Sequence, residues 1–126
     1  MIKKISRYLY YSIFDLLKIF INLKSTNNFI ILYPRILSLI LRSILIFDKK
    51  EKNFFFQKVR NYSDVLTVYE IFSYENYNLK LFKSYENVKK EYTKIIELNC
   101  LPLIIDCGSN IGASSVYFNK IFPESN

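Results

Sequence analysis

Glycine occurs only twice in the chain, and both copies fall in one short stretch, Asp106-Cys107-Gly108-Ser109-Asn110-Ile111-Gly112. A sequence that does without glycine everywhere else keeps it where a side chain is intolerable. Either the backbone needs a positive φ there or something must approach it closely. Leading into the glycines is Leu103-Ile104-Ile105-Asp106-Cys107, the kind of almost entirely apolar run that forms a strand buried on both faces of a parallel sheet. Behind the loop Ile111, Ser115, Phe118 and Phe122 share one helical face, and Pro123 stops the helix. The expected unit is therefore strand, glycine loop, helix. In open α/β sheets such loops, at the carboxyl ends of strands, are where ligands bind. The helix N-terminus adds amide donors and a partial positive charge suited to a carboxylate or phosphate.

The spacing narrows the ligand. A phosphate-binding P-loop requires G-x-x-x-x-G-K-[ST]. Here the glycines are one residue too close, and Ala113-Ser114 stands where Lys-Ser/Thr belongs. A dinucleotide fingerprint, G-x-G-x-x-G, would fall on Gly108, Asn110 and Ala113, so its central glycine is missing. The pattern left is D/E-x-G-x-x-x-G at the end of a first strand, which residues 103–112 (LIIDCGSNIG) match in full.

With the helix included, residues 103–123 (LIIDCGSNIGASSVYFNKIFP) resemble the FkbM family of S-adenosylmethionine-dependent methyltransferases. That family typically shows an apolar strand, D-x-G-[AS]-N-x-G, and a helix with aromatics near Tyr117-Phe118 and a proline near Pro123. Residues 64–72 (DVLTVYEIF) resemble its opening region more loosely, so the likeness covers about residues 62–126. It implies an α/β fold: the start of a Rossmann-like class I methyltransferase domain over 61–126, preceded by a helical N-terminal segment over 1–60. It implies S-adenosylmethionine as cofactor and a small-molecule or glycan acceptor, methylated on a sugar or lipid-linked hydroxyl. Among the matching positions, Asp106 ends the strand and helps hold the loop and the cofactor's methionine part. Gly108 lets the backbone approach the cofactor, Ser109 stands where the family often has Ala, and Gly112 lets the helix start pack on the strand. Asn110 is the polar loop residue, with a side chain suited to capping the helix. Sites of this kind also use an acidic residue about twenty positions beyond the glycines to bind the ribose. That position lies past Asn126, so the sheet is expected to be incomplete and this piece inactive by itself. No catalytic residue is assigned, and no His is present to act as a base.

The rest of the chain constrains the setting. A hydrophobic fraction of 51% is ample for a core and excludes a disordered chain. The net charge of +7 comes from scattered lysines, never more than two basic residues in a row, which speaks for a solvated surface and against nucleic acid. Cys100 and Cys107 lack a metal-ligand spacing and are expected to be buried, reduced thiols; no metal site is expected, and a cytoplasmic location fits. Ile13, Leu16, Leu17, Phe20 and Ile21 lie at helical spacing around Asp15, Lys18 and Asn22, predicting an amphipathic helix. Phe29–Phe47 is long and apolar, but Pro34, Arg35 and Arg42 argue against a membrane span. A helix over Ile36–Phe47 is expected instead, and peripheral membrane contact through residues 8–47 is the second functional expectation. Asp48–Lys52 reads as a charged connector, Phe54–Phe56 as buried core, 65–72 and 77–82 as strands, and Glu86–Leu98 as a helix bounded by Asn99 and Pro102.

Overall fold

The computed structural model describes the backbone of residues 2–24 and 27–126, and the side chains of residues 10, 11, 13–21, 23 and 27–126. Residues 25 and 26, inside the stretch expected to meet a membrane, and the Asn22 side chain lie outside the described residues. The described chain mixes helices with one small three-stranded antiparallel sheet, an α/β composition whose sheet is incomplete. It divides into two units, Met1–Glu75 and Asn76–Asn126, so that residues 61–75 belong with the first sheet.

The first unit runs α1 (Ile2–Lys24), β1 (Phe29–Ile31), α2 (Arg35–Leu41), β2 (Ser43–Asp48), β3 (Asn53–Lys58) and α3 (Tyr62–Val68), which passes into a π-helical turn, Tyr69–Ser73. β2 is central and antiparallel to both neighbours, with Ile46 opposite Ile31 on one side and Phe55 on the other. Alternation along β2 turns Ile44, Ile46 and Asp48 inward. The connector at Asp48–Lys52 is the β2–β3 turn. Asp48 Oδ1 accepts from the amides of Lys50 (3.0 Å) and Glu51 (3.1 Å), the local bond that makes Asp a turn former. The core is an aromatic trio: Phe72 lies edge-on to Phe29 (5.1 Å) and Phe55 (5.6 Å), one ring each from the π-turn, β1 and β3. Phe72 ends a buried helical row, Val65, Val68, Tyr69 and Phe72, spaced i, i+3, i+4 and i+7.

Several expectations fail here for identifiable reasons. The helix expected over Ile36–Phe47 stops at Leu41. Arg42 adopts the left-handed conformation (φ 50°) and returns its amide to the Ser38 carbonyl, so residues 43–48 enter as a strand. The strand expected at 65–72 is helix, because Asn61 caps α3 by accepting from the Asp64 amide (3.0 Å). The strand expected at 77–82 is a 3₁₀ turn, Leu79–Leu81, its start capped by the Asn78 side chain. Of the three phenylalanines read as core, Phe54 and Phe56 face outward, as strand alternation requires, and Phe54 packs on Phe47 across the hairpin (4.8 Å). No helix among the described residues is long and apolar enough to cross a membrane.

A buried ion pair lies in the first unit. Asp15 of α1 is buried beside Arg35 of α2, which packs over the ring of Tyr69 (4.8 Å). Tyr69 donates its hydroxyl to the Tyr33 carbonyl (2.8 Å); burial, reinforced by the nearby Asp15 charge, pushes its ionisation far above the ordinary phenol range.

The second unit contains the 3₁₀ turn, α4 (Tyr85–Glu97), a segment without regular secondary structure over 101–106, the glycine loop and α5 (Ala113–Ile121). α4 and α5 stand where their periodicity placed them. Asn99, at φ 55°, turns the chain out of α4. Tyr92 of α4 packs on Phe122 (4.9 Å), and its hydroxyl accepts from the Glu124 amide (3.0 Å).

Candidate functional site

The expected buried strand at 103–107 is a correction. Residues 101–106 carry no regular secondary structure and belong to no sheet ladder among the described residues, and Leu103 (71%) and Ile105 (76%) are exposed. Two backbone bonds do flank Leu103. The Asn126 amide donates to the Pro102 carbonyl, and the Ile104 amide donates to the Asn126 carbonyl, each at 2.9 Å. This is the pair of bonds by which parallel neighbours join. The chain thus leaves this segment, passes through the glycine loop and α5, and returns alongside it in the same direction.

The loop needs its glycines for conformation. Gly108 has φ +94° and Gly112 φ +73°, with Asn110 between them also left-handed at φ +49°. Side chains other than those of Gly, Asn and Asp rarely adopt such angles. A Cβ built at either glycine meets no atom within 4 Å, so both face open space. For Gly108 this leaves the backbone accessible. For Gly112 it corrects the expectation of tight helix-on-strand packing: the backbone angle alone demands glycine. Gly112 is also the N-cap of α5. The loop closes through the Gly112 amide, which donates to the Ser109 carbonyl at 2.6 Å.

Asp106 is the polar centre. Its Oδ2 accepts hydrogen bonds from the hydroxyls of Ser114 (2.6 Å) and Ser115 (2.8 Å), both in the first turn of α5. These bonds, that of Ser114 first, hold the Asp106 carboxyl below its usual range, so it is ionised at neutral pH. The carboxylate therefore ties the segment before the loop to the start of the helix. Sequence reasoning missed the two serines as its partners. The pair of hydroxyl residues just after the second glycine is visible in the sequence, but its pairing with Asp106 is not, because only the fold sets how the first turn of α5 meets that acid. Asp106 and Ser115 line a shallow depression of about 360 Å³ with Ile104, Phe118, Lys120 and Asn126. Cys107, expected to be buried, is exposed at the turn, and Cys100 is exposed beyond α4.

Compared with protein-family models, curated proteins and solved structures, the chain matches none.

Proposed function

We propose that residues 76–126 carry the opening cofactor loop of an S-adenosylmethionine-dependent methyltransferase of the FkbM-like type. The Rossmann-like class I fold and O-methylation of a sugar or lipid-linked hydroxyl are part of the same reading. One observation carries it: an ionised carboxylate at the end of residues 101–106 stands beside a loop whose two glycines are both left-handed and open. The parallel return of the chain at Asn126 supports a strand-helix-strand unit around that loop. Free thiols at Cys100 and Cys107, both exposed, suit a reducing cytoplasm.

The residues present fit the amino-acid end of the cofactor. The Asp106 carboxylate is complementary to an α-ammonium group. The first-turn amides of α5, which have no partner inside the helix, suit an α-carboxylate. Ser109 and Asn110 lie between the two glycines and contribute loop backbone there. When bound, the cofactor supplies a methyl group already activated by its sulfonium. The chain's own residues hold and orient it, which is where most of the rate advantage of such a transfer lies.

Titration of the full chain with S-adenosylhomocysteine, followed by calorimetry, tests the reading. The expected result is saturable binding that Gly108→Val and Asp106→Ala each weaken by about tenfold or more, a loss of about 1.4 kcal/mol. Absence of binding, or binding indifferent to both substitutions, refutes it.

A further inference from the structure

α1 is inside out for a helix on a water-facing surface. Its one acid, Asp15, is turned into the protein and joined to Arg35. Its large apolar side chains point away from it. Ile13 (60% exposed) and Phe20 (69%) lie with Tyr10, Leu16, Leu17 and Ile21 on an arc of about 140° at 100° per residue. No described side chain on that arc is charged, since Lys18 lies over the Tyr74 ring (3.6 Å). An ordinary amphipathic helix keeps its apolar stripe for the core and its charges for water.

We infer that α1 docks, apolar arc down, on the surface of an anionic lipid membrane. The charge of the helix selects this occupant. Apart from Asp15, which is paired with Arg35, its acid and base residues are Lys3, Lys4, Arg7, Lys18 and Lys24, and the whole chain carries +7. Anionic headgroups attract such a helix while its apolar face enters the acyl boundary. A second copy of the chain fits less well. It would set like charges against one another, and a two-helix seam needs a narrower stripe than this arc. α1 is not apolar enough to cross a bilayer, so it lies in the plane of the interface. The inference rests on residues 1–75 and is independent of the proposal for the glycine loop.

The test is flotation of the full chain with phosphatidylcholine vesicles, with and without about a quarter phosphatidylglycerol. The expected result is binding to the anionic vesicles, reduced about tenfold or more by Ile13→Glu/Phe20→Glu and by high salt. Leu81→Glu, at an exposed apolar position of the other unit, should leave binding unchanged. Circular dichroism checks that the double variant keeps its helix content. In the unaltered protein, amide exchange over residues 10–21 should slow when the anionic vesicles are added. Failure to float, unchanged exchange, or binding that survives the double substitution overturns the inference. So does a concentration-dependent dimer, seen by light scattering, that the double variant abolishes while no vesicle binding occurs.

Discussion

Replacing Asp15 and Arg35 singly and together isolates what the buried pair contributes to the first unit. The side chains are 1% and 11% exposed, with 3.5 Å between Arg35 Nη2 and Asp15 Oδ1. At that separation and an effective dielectric constant of about 20, their attraction is about 5 kcal/mol. Removing both ions from water costs several kcal/mol each, which cancels or exceeds that gain. Satisfaction is also incomplete. Asp15 Oδ2 accepts from the Arg35 amide (3.1 Å) and Arg35 Nη2 donates to the Tyr74 hydroxyl (3.2 Å). Asp15 Oδ1 and Arg35 Nε have no hydrogen-bond partner. Asp15→Leu alone leaves a guanidinium buried and unpaired, and should cost about 3–5 kcal/mol. Arg35→Met alone strands the carboxylate and should cost a similar amount. The double variant, Asp15→Leu/Arg35→Met, should recover much of the single-variant loss, falling short of the parent by about 1–3 kcal/mol for the Arg35 amide left without its acceptor and at most about 2 kcal/mol for the lost stacking of Arg35 on Tyr69. Urea unfolding followed by circular dichroism gives the coupling energy directly. Single variants costing under about 1 kcal/mol, or costs that simply add in the double variant, would refute the desolvation argument.

Other positions give sharper local tests. Phe72→Ala removes the ring shared by Phe29 and Phe55 from a fully buried site and should cost about 3–5 kcal/mol in the same unfolding assay. Asn61→Ala deletes the α3 cap and should cost about 0.5–2 kcal/mol, while Asn61→Asp should restore most of it. The side-chain hydrogen bonds of Arg60 to Asp64, first among its causes, hold the Asp64 carboxyl below its usual range. Its folded value thus lies below its unfolded value. Its contribution is complete above the unfolded carboxylate range, about pH 4, and is lost as pH falls through the lower folded value. Arg60→Met should flatten that acid limb in a pH series of unfolding midpoints. Gly112→Ala should destabilise α5 through its backbone angle alone, by about 1–2 kcal/mol, with Gly112→Asn less damaging because Asn tolerates that conformation.

What was legible in the sequence was local and bounded. α4 and α5 carry a helical period closed by Asn99 and Pro123, and the glycine loop stands out because the rest of the chain avoids glycine. Residues 36–47 were harder, because an apolar run satisfies both periods. The break depends on Arg42 adopting a left-handed angle that no composition rule places on arginine. Ile44 and Ile46, two β-branched residues on alternate positions, were the available hint. At 65–72 the alternation of Val65, Thr67, Tyr69 and Ile71 masked a better fit. The buried set Val65, Val68, Tyr69 and Phe72 is helical, and Asn61 and Asp64 mark the helix start. The π-turn after it brings Ile71 inward as well, so Val65, Tyr69 and Ile71, which fit the alternating period, are buried too. In the candidate site, Asp106 and the glycines were legible from spacing. Its serine partners were not, because the bonds join residues eight and nine positions apart across a loop whose path only the fold sets.

The two glycines make the central claim directly measurable. Protein labelled with ¹⁵N only at glycine gives two amide signals, Gly108 and Gly112, both from the loop. Titration with S-adenosylhomocysteine should move both in a saturable way, with an affinity no weaker than roughly millimolar, and equal concentrations of ATP or NADH should not. Two signals that stay in place with S-adenosylhomocysteine, or that move as much with ATP or NADH, would contradict the assignment of this loop to a methyl-donor cofactor.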